Sequence, residues 1–218
     1  MRDVKVKYFI GVVIMMFWSV QMMGQNRNII GTYVPKKLHK TNNTDYLIAD
    51  LANTITANAR TESEKVYAIY RWITANIKYD NRLRFSEKLQ KEIYVSEENV
   101  VAHVLERKMA LCGGFAFLFR DLCEEVDIPV EAIHGYSKIN GSTVRNYEKP
   151  NHTWNAVKLN GKWHLLDITW AVGFGNAKNP DDFWYLTSPE DFIYSHYPKN
   201  PEWTLLDNSI SFQKFKSR

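Results

Sequence analysis

The sequence predicts an α+β fold in which N-terminal helices pack against an antiparallel sheet. Three observations carry it. Apolar residues recur at helical spacing through most of residues 45–125, the period changes after Asp127, and an Asn160-Gly161 pair separates two β-rich runs. Asn-Gly between such runs signals a two-residue hairpin, because a type I′ turn needs positive φ at both central positions.

Each element has its own local reason. A helix is expected over Asp45–Ala57, with Leu47, Leu51 and Ile55 on one stripe. Thr61 and Glu64 form a capping box ahead of Val66, Ile69, Trp72, Ile73 and Ile77, an amphipathic helix. Ser96 opens another through Val100, Val101, Val104 and Leu105. From Ala110 to Glu125, Phe115, Leu118, Phe119 and Leu122 recur at helical spacing, and Gly113 and Gly114 sit near the start, where they break no helix interior. Pro129–Ser137 reads as a strand and Gly141–Pro150 as a polar loop. If Asn160 and Gly161 are the two loop residues, Leu159 pairs with Lys162, His152 faces Thr169 and Trp154 faces Asp167. His152 and Asp167 then share a face as diagonal neighbours, about 7–8 Å apart, within reach of an imidazole. His164 faces the other way.

Composition narrows the function. With 45% hydrophobic residues, 7 Trp, 12 Tyr and 11 Phe, the chain has ample core material. Its formal charge is +4 over 218 residues, and residues 1–24 hold half of it, so nothing points to nucleic acid. Two cysteines exclude a disulfide scaffold and a Cys₄ metal site. Met1–Lys7 is basic and is followed by a 13-residue apolar run, Tyr8–Val20. That run is too short to span a bilayer and reads as a signal peptide ending at Gly24, with an uncleaved anchor as the alternative. Export to the periplasm or exterior is expected, with no stable membrane insertion after signal removal. The organisation expected is a signal peptide over 1–24, an arm and first helix over 25–60, one catalytic-type domain over 61–207, and a C-terminal tail over 208–218.

Cys112 precedes two glycines and an apolar helix, so it falls at a helix N-terminus, where unpaired N–H groups favour a thiolate and an oxyanion. The hairpin offers His152 as base and Asp167 as orienting acceptor of its Nδ1 proton, which would hold the ring toward Cys112 and complete a nucleophilic triad. Read singly, each residue has a plain structural role: a buried cysteine acts as a small hydrophobe, and a strand histidine is a satisfied polar group.

Three segments then stand out together: Leu111-Cys-Gly-Gly-Phe-Ala, Asn151-His-Thr-Trp-Asn-Ala-Val, and Trp163-His-Leu-Leu-Asp-Ile-Thr-Trp170. They resemble the transglutaminase-like superfamily of papain-fold enzymes, nearest the kyphoscoliosis-peptidase type. Tyr70–Asp80 resembles its upstream helix, and Asp182–Phe192 with Ser195-His-Tyr-Pro its C-terminal segment. The resemblance spans roughly 60–207. It implies a papain-like core and Cys112 as nucleophile, His152 as base and Asp167 as orienting carboxylate. It also implies a protein or peptide substrate and no cofactor. The activity implied is amide hydrolysis, with transamidation as a variant. A silent module binding protein or cell-wall peptide is the reading from another class.

Other residues carry weaker signals. Cys123 lies too far along the same helix to pair with Cys112 and reads as core. Related enzymes place an oxyanion-supporting aromatic upstream of the cysteine, which singles out Tyr79 and Trp72. Trp154 and Trp170 read as packing around the triad. His39, His103, His134, His164 and His196 show no metal-ligand spacing, so no metal is expected. Lys36, Lys37 and Lys40 read as a solvated arm. Sequons occur at Asn42, Asn140 and Asn151; a glycan at Asn151 would abut His152, which favours accidental matches and a bacterial source.

Overall fold

A computed structural model describes residues 43–139 and 148–217. The export segment, the basic arm with His39, the sequons at Asn42 and Asn140, and most of the 141–150 loop lie outside the described residues.

Helices come first. α1 (Asn43–Thr56) packs on α2 (Glu62–Asn76). α2 begins at the capping box: the Thr61 hydroxyl accepts the Glu64 N–H at 3.2 Å, and the Glu64 carboxylate accepts the Thr61 N–H at 3.1 Å. α1 buries a different face from the one expected. Asp45, Ile48, Ala49, Ala52 and Thr56 are buried, while Leu47 is exposed and Leu51 and Ile55 are half-buried. The buried face is itself a helical stripe, and its small alanines suit close packing against neighbouring helices.

A short parallel pair follows, β1 (Lys78–Tyr79) with β2 (Met109–Ala110), setting Tyr79 opposite Ala110. Between these strands run α3 (Asn81–Arg84), α4 (Glu87–Ile93) and α5 (Glu97–Arg107). Their N-caps are Asp80, Ser86 and Ser96, each accepting a backbone N–H. Arg107 reaches back to the buried Asp80 at 2.5 Å, tying the end of α5 to the end of β1. α6 (Cys112–Glu124) is buried at every position from Gly113 to Cys123. It lies between α5 and α2 on one side and the sheet on the other.

The sheet comprises β3 (Val130–Ser137), β4 (His152–Leu159), β5 (Lys162–Leu166) and β6 (His196–Pro198), in the order β5-β4-β3-β6, all antiparallel. Asn160 and Gly161 take φ of +49° and +79°, and the rungs are Leu159–Lys162, Val157–His164 and Asn155–Leu166 among others. The ladder stops there. Asp167 turns out of the strand and caps α7 (Ile168–Phe174), so the expected rungs Trp154–Asp167 and His152–Thr169 do not form. α8 (Pro189–Phe192) leads into β6, and within the C-terminal tail α9 (Phe212–Lys216) buries Phe215 against Tyr197. No helix among the described residues is long and apolar enough to cross a membrane.

Candidate active site

The site is assembled where α6 begins, β4 begins and β5 ends. Cys112 is the first residue of α6, and its N-cap, Leu111, has no side chain able to accept a hydrogen bond. The helix's own carbonyls do not reach its first N–H groups. One of them, that of Gly114, donates to the Tyr94 hydroxyl. The Tyr94 ring lies close over Gly113, where an added Cβ would come within 3.2 Å of it. Tyr94 thus acts as a cap delivered from the α4–α5 connection, which sequence reasoning missed because the partner lies eighteen and more residues away.

His152 is the first residue of β4 and is buried. Its Nε2 lies 2.6 Å from Asp167 Oδ2. The expectation that Nδ1 would face the carboxylate is corrected. With Nε2 on Asp167, Nδ1 is left for Cys112, to which the ring is hydrogen-bonded. The Asp167 carboxylate approaches from the cap of α7 rather than from a strand rung, which reverses the ring's expected orientation. Its other oxygen, Oδ1, accepts the Trp170 N–H at 3.0 Å. One carboxylate therefore ends β5, starts α7 and meets His152.

Thr153 contributes through its backbone. It continues the alternate series Leu159, Val157, Asn155, but its partner position beyond Leu166 is already in α7. Freed from the β5 ladder, its N–H hydrogen-bonds to Cys112.

The electrostatics follow from these contacts. Burial pushes the Cys112 thiol up, but the hydrogen bond and charge of His152 and the Thr153 N–H outweigh it, and the thiol ends below its ordinary range. Burial would push His152 down; Asp167, by charge and hydrogen bond, together with Cys112, holds it well above the usual imidazole range. Burial would raise Asp167, but His152 and His196 hold it far below the usual carboxylate range. Each shift moves its group toward the charged form: Cys112 toward thiolate, His152 toward imidazolium and Asp167 toward carboxylate. Cys123, fully buried eleven positions along α6, is pushed the other way by burial.

His196 is the second residue missed. Its Nε2 lies 3.0 Å from the same Asp167 Oδ2, and its Nδ1 lies 2.7 Å from Ser195 Oγ. The segment containing it carries part of the family resemblance, yet residue spacing gives no sign that a histidine 29 positions after Asp167 returns to it. His152, Asp167 and His196 offer three possible ligand atoms within 4.8 Å of one another. Those on the carboxylate are already joined by hydrogen bonds of 2.6 and 3.0 Å, so an ion binding between them would have to expel a proton from each ring.

Trp154 and Trp170 pack on His152 with ring centroids 6.1 and 5.8 Å away. Tyr79 is close enough to Cys112 for the thiolate charge to raise its phenol pKa, after burial, which is the larger cause. Trp72 instead carries the Lys108 ammonium over its ring at 5.4 Å. His164 stands in the hairpin ladder opposite Val157, His134 contacts the Thr153 hydroxyl, and His103 bonds the Asn99 carbonyl.

Comparison with known proteins agrees with this architecture. The family model for the transglutaminase-like superfamily matches residues 49–168, more than half of the chain, and the protein belongs to that superfamily. Its fold is the papain-like, transglutaminase-type α+β fold. Human kyphoscoliosis peptidase is 31% identical over 181 residues, covering 79% of this chain and 26% of that protein. Hillarin from Drosophila melanogaster is 27% identical over 187 residues, covering 77% and 22%. Among solved structures, a TGase aligns with a TM-score of 0.44 at 22% identity, covering 61% of this chain and 34% of that one. The chain spans about a quarter of the length of the curated relatives it matches.

Proposed function

We propose that the protein is a cysteine hydrolase of amide bonds, acting on peptides through an acyl-enzyme. The observation that carries the reading is the continuous hydrogen-bonded chain from Cys112 through His152 to Asp167, with the sulfur at the start of a buried helix. In this reading the Cys112 thiolate attacks the substrate carbonyl, and the carbonyl's electron pair moves onto its oxygen. That oxyanion develops beside the N–H groups at the start of α6. The oxyanion collapses, the C–N bond breaks, and His152 gives its Nδ1 proton to the leaving amine. Water then attacks the thioester, His152 removes its proton, and the acid departs as the thiolate returns. Asp167 keeps the ring oriented and balances the imidazolium; it carries no proton itself.

An amine in place of water would make the same acyl-enzyme a transamidase. The silent binding module is the alternative from another class. The basic start and the 13-residue apolar run support export, with a mature chain beginning near Gln25. N-terminal sequencing of protein from its native host tests this, and an intact Met1 chain in the soluble cytoplasm would refute it.

Activity is tested by alkylation. At about pH 6 a small excess of iodoacetamide should label Cys112 well before Cys123, and His152→Ala should slow the labelling. Incubation with a peptide pool, with and without an added primary amine, then separates hydrolysis from transamidation by product mass. Equal, slow labelling of both cysteines in the folded protein, unchanged by His152→Ala, would leave the binding module.

A further inference from the structure

His196 lies outside the triad yet is bonded to it. It enters on β6, where it pairs with Ser137 of β3, while His152 enters on β4, where it pairs with Gly135 of the same strand. The two histidines therefore reach Asp167 from opposite sides of β3. His196 is buried and held by rings: Phe192 stacks on it at 4.2 Å, Trp170 tilts over it at 4.4 Å, and Trp154 meets it edge-on at 5.0 Å. Such a cage leaves the imidazole one orientation.

That orientation fixes the proton. The ionised Asp167 carboxylate can only accept, so the neutral ring carries its proton on Nε2 and donates it to Asp167 Oδ2. Nδ1 is left as acceptor for the Ser195 hydroxyl 2.7 Å away, whose other acceptor in reach is the Phe192 carbonyl at 3.3 Å. Asp167 is then held at three points: Oδ1 by the Trp170 N–H, and Oδ2 by both His196 and His152. The charged groups facing His196 are Asp167 and His152. Burial keeps the His196 ring neutral beside the imidazolium, with its pKa pushed down to about 4.

We propose that His196 is a positioning residue, a neutral donor that pins the Asp167 carboxylate so that His152 is aimed at Cys112. The proposal rests on the hydrolase reading and adds a fourth member, whose tautomer the carboxylate sets and the Ser195 hydroxyl at Nδ1 supports. Without the His196 donor, Asp167 Oδ2 keeps only the bond to His152 and is free to turn about Oδ1. The imidazole then loses its fixed aim, and misplacement on the order of 1 Å costs about 100-fold in a positioned reaction.

The test reads the sulfur directly and needs no substrate. Iodoacetamide alkylation of Cys112 is followed from about pH 4 to 9 in the full chain, giving the acid limb at which the thiolate forms. His196→Leu, which removes the donor, should move that limb up by about one pH unit, slowing labelling about tenfold below it. His196→Gln restores an N–H donor and should return the limb to the parent position. Ser195→Ala, a milder change, should move it in the same direction by less, and serves if His196→Leu does not fold. Thermal unfolding of each variant reports stability separately, since a purely structural role would lower the folded fraction without moving the limb. The proposal alone is overturned if the parent shows the limb and folded His196→Leu or Ser195→Ala shows it unmoved, or if folded His196→Gln fails to restore it. A parent with no such limb overturns the hydrolase reading, and the proposal falls with it.

Discussion

His152 and Asp167 meet at 2.6 Å although both lie beyond the last rung of the ladder that joins their strands. The contact depends on β5 ending one residue early. Asp167 leaves the sheet, caps α7 with one oxygen and offers the other to the imidazole. A histidine, a helix start and a strand end are thereby set by one side chain, and that division of labour makes the roles of its two oxygens separable.

Asp167→Asn should separate them. The amide oxygen can still accept the Trp170 N–H, so the fold survives, but the buried imidazolium loses its counter-charge. His152 should fall toward the ordinary imidazole range, and Cys112 alkylation at about pH 6 should slow by orders of magnitude. Asp167→Ala removes the cap as well and should cost about 1 kcal/mol more in urea unfolding. His164→Gln, on the hairpin opposite Val157, should leave alkylation unchanged. Rapid labelling of Asp167→Asn would show that the carboxylate does not hold the pair.

Local chemistry made much of this legible. The capping box at Thr61, the cap at Ser96, and the positive φ at Asn160 and Gly161 depend on residues a few positions apart. The hairpin register from Leu159 to Leu166 follows from the turn alone. What stayed hidden depends on long-range return of the chain. The face α1 buries is chosen by its neighbours rather than by its own apolar count, so Ala49 and Ala52 are inside and Leu47 is outside. Tyr94 and His196 each reach the site from elements remote in sequence, and spacing reveals neither, although His196 lies in a segment that carries part of the family resemblance. The ring flip at His152 was hidden for the same reason: periodicity predicted a rung where the chain turns into a helix.

Gly135 should prove intolerant of any side chain. It pairs with His152 on one side and Pro198 on the other, and a Cβ there would collide with the Trp154 ring and the backbone of Tyr197 and Pro198. Backbone cannot yield as a flexible side chain can, so β6 or Trp154 must shift, and both contact His196. Gly135→Ala should destabilise by about 1–3 kcal/mol or more in urea unfolding. It should also move the acid limb of Cys112 alkylation toward the free-thiol value. An alanine variant of parent-like stability would mean that β6 packs less tightly than the structure indicates.

Tyr94→Phe removes the hydroxyl that accepts the Gly114 N–H while leaving the ring over Gly113. The start of α6 then has one more unsatisfied donor, and stability should fall by about 0.5–1 kcal/mol, as for the loss of a cap. Tyr94→Ala uncovers Gly113 as well and should raise the rate at which a bulky maleimide reaches Cys112 relative to iodoacetamide. If the two reagents kept their parent ratio, Tyr94 would not shield the sulfur.

Stability should depend on pH through the same three buried groups, with opposite signs on the two sides. His196 is neutral in the fold, with its pKa pushed down to about 4, whereas an unfolded chain binds that proton near the ordinary value of 6.5. The unfolded state therefore holds more protons between these values, and stability falls as pH drops from about 6.5 through about 4, by on the order of 3 kcal/mol. Asp167, held below its ordinary value of 3.8, contributes stability that is present above that value and is lost as pH falls further. His152 acts in reverse: its folded pKa is raised, so its contribution is complete below about 6.5 and is lost as pH rises through the folded value near 10. Guanidinium unfolding at about pH 4.5, 6 and 7.5 checks the acid side. Between about pH 7.5 and 6 the parent should hold or gain stability as His152 takes up its proton. Between about pH 6 and 4.5 it should lose stability, and His196→Gln, which keeps the hydrogen bond but cannot titrate, should lose distinctly less over that second step. Parallel declines in the two proteins would mean that His196 does not titrate between about pH 4 and 6.5 as its burial requires.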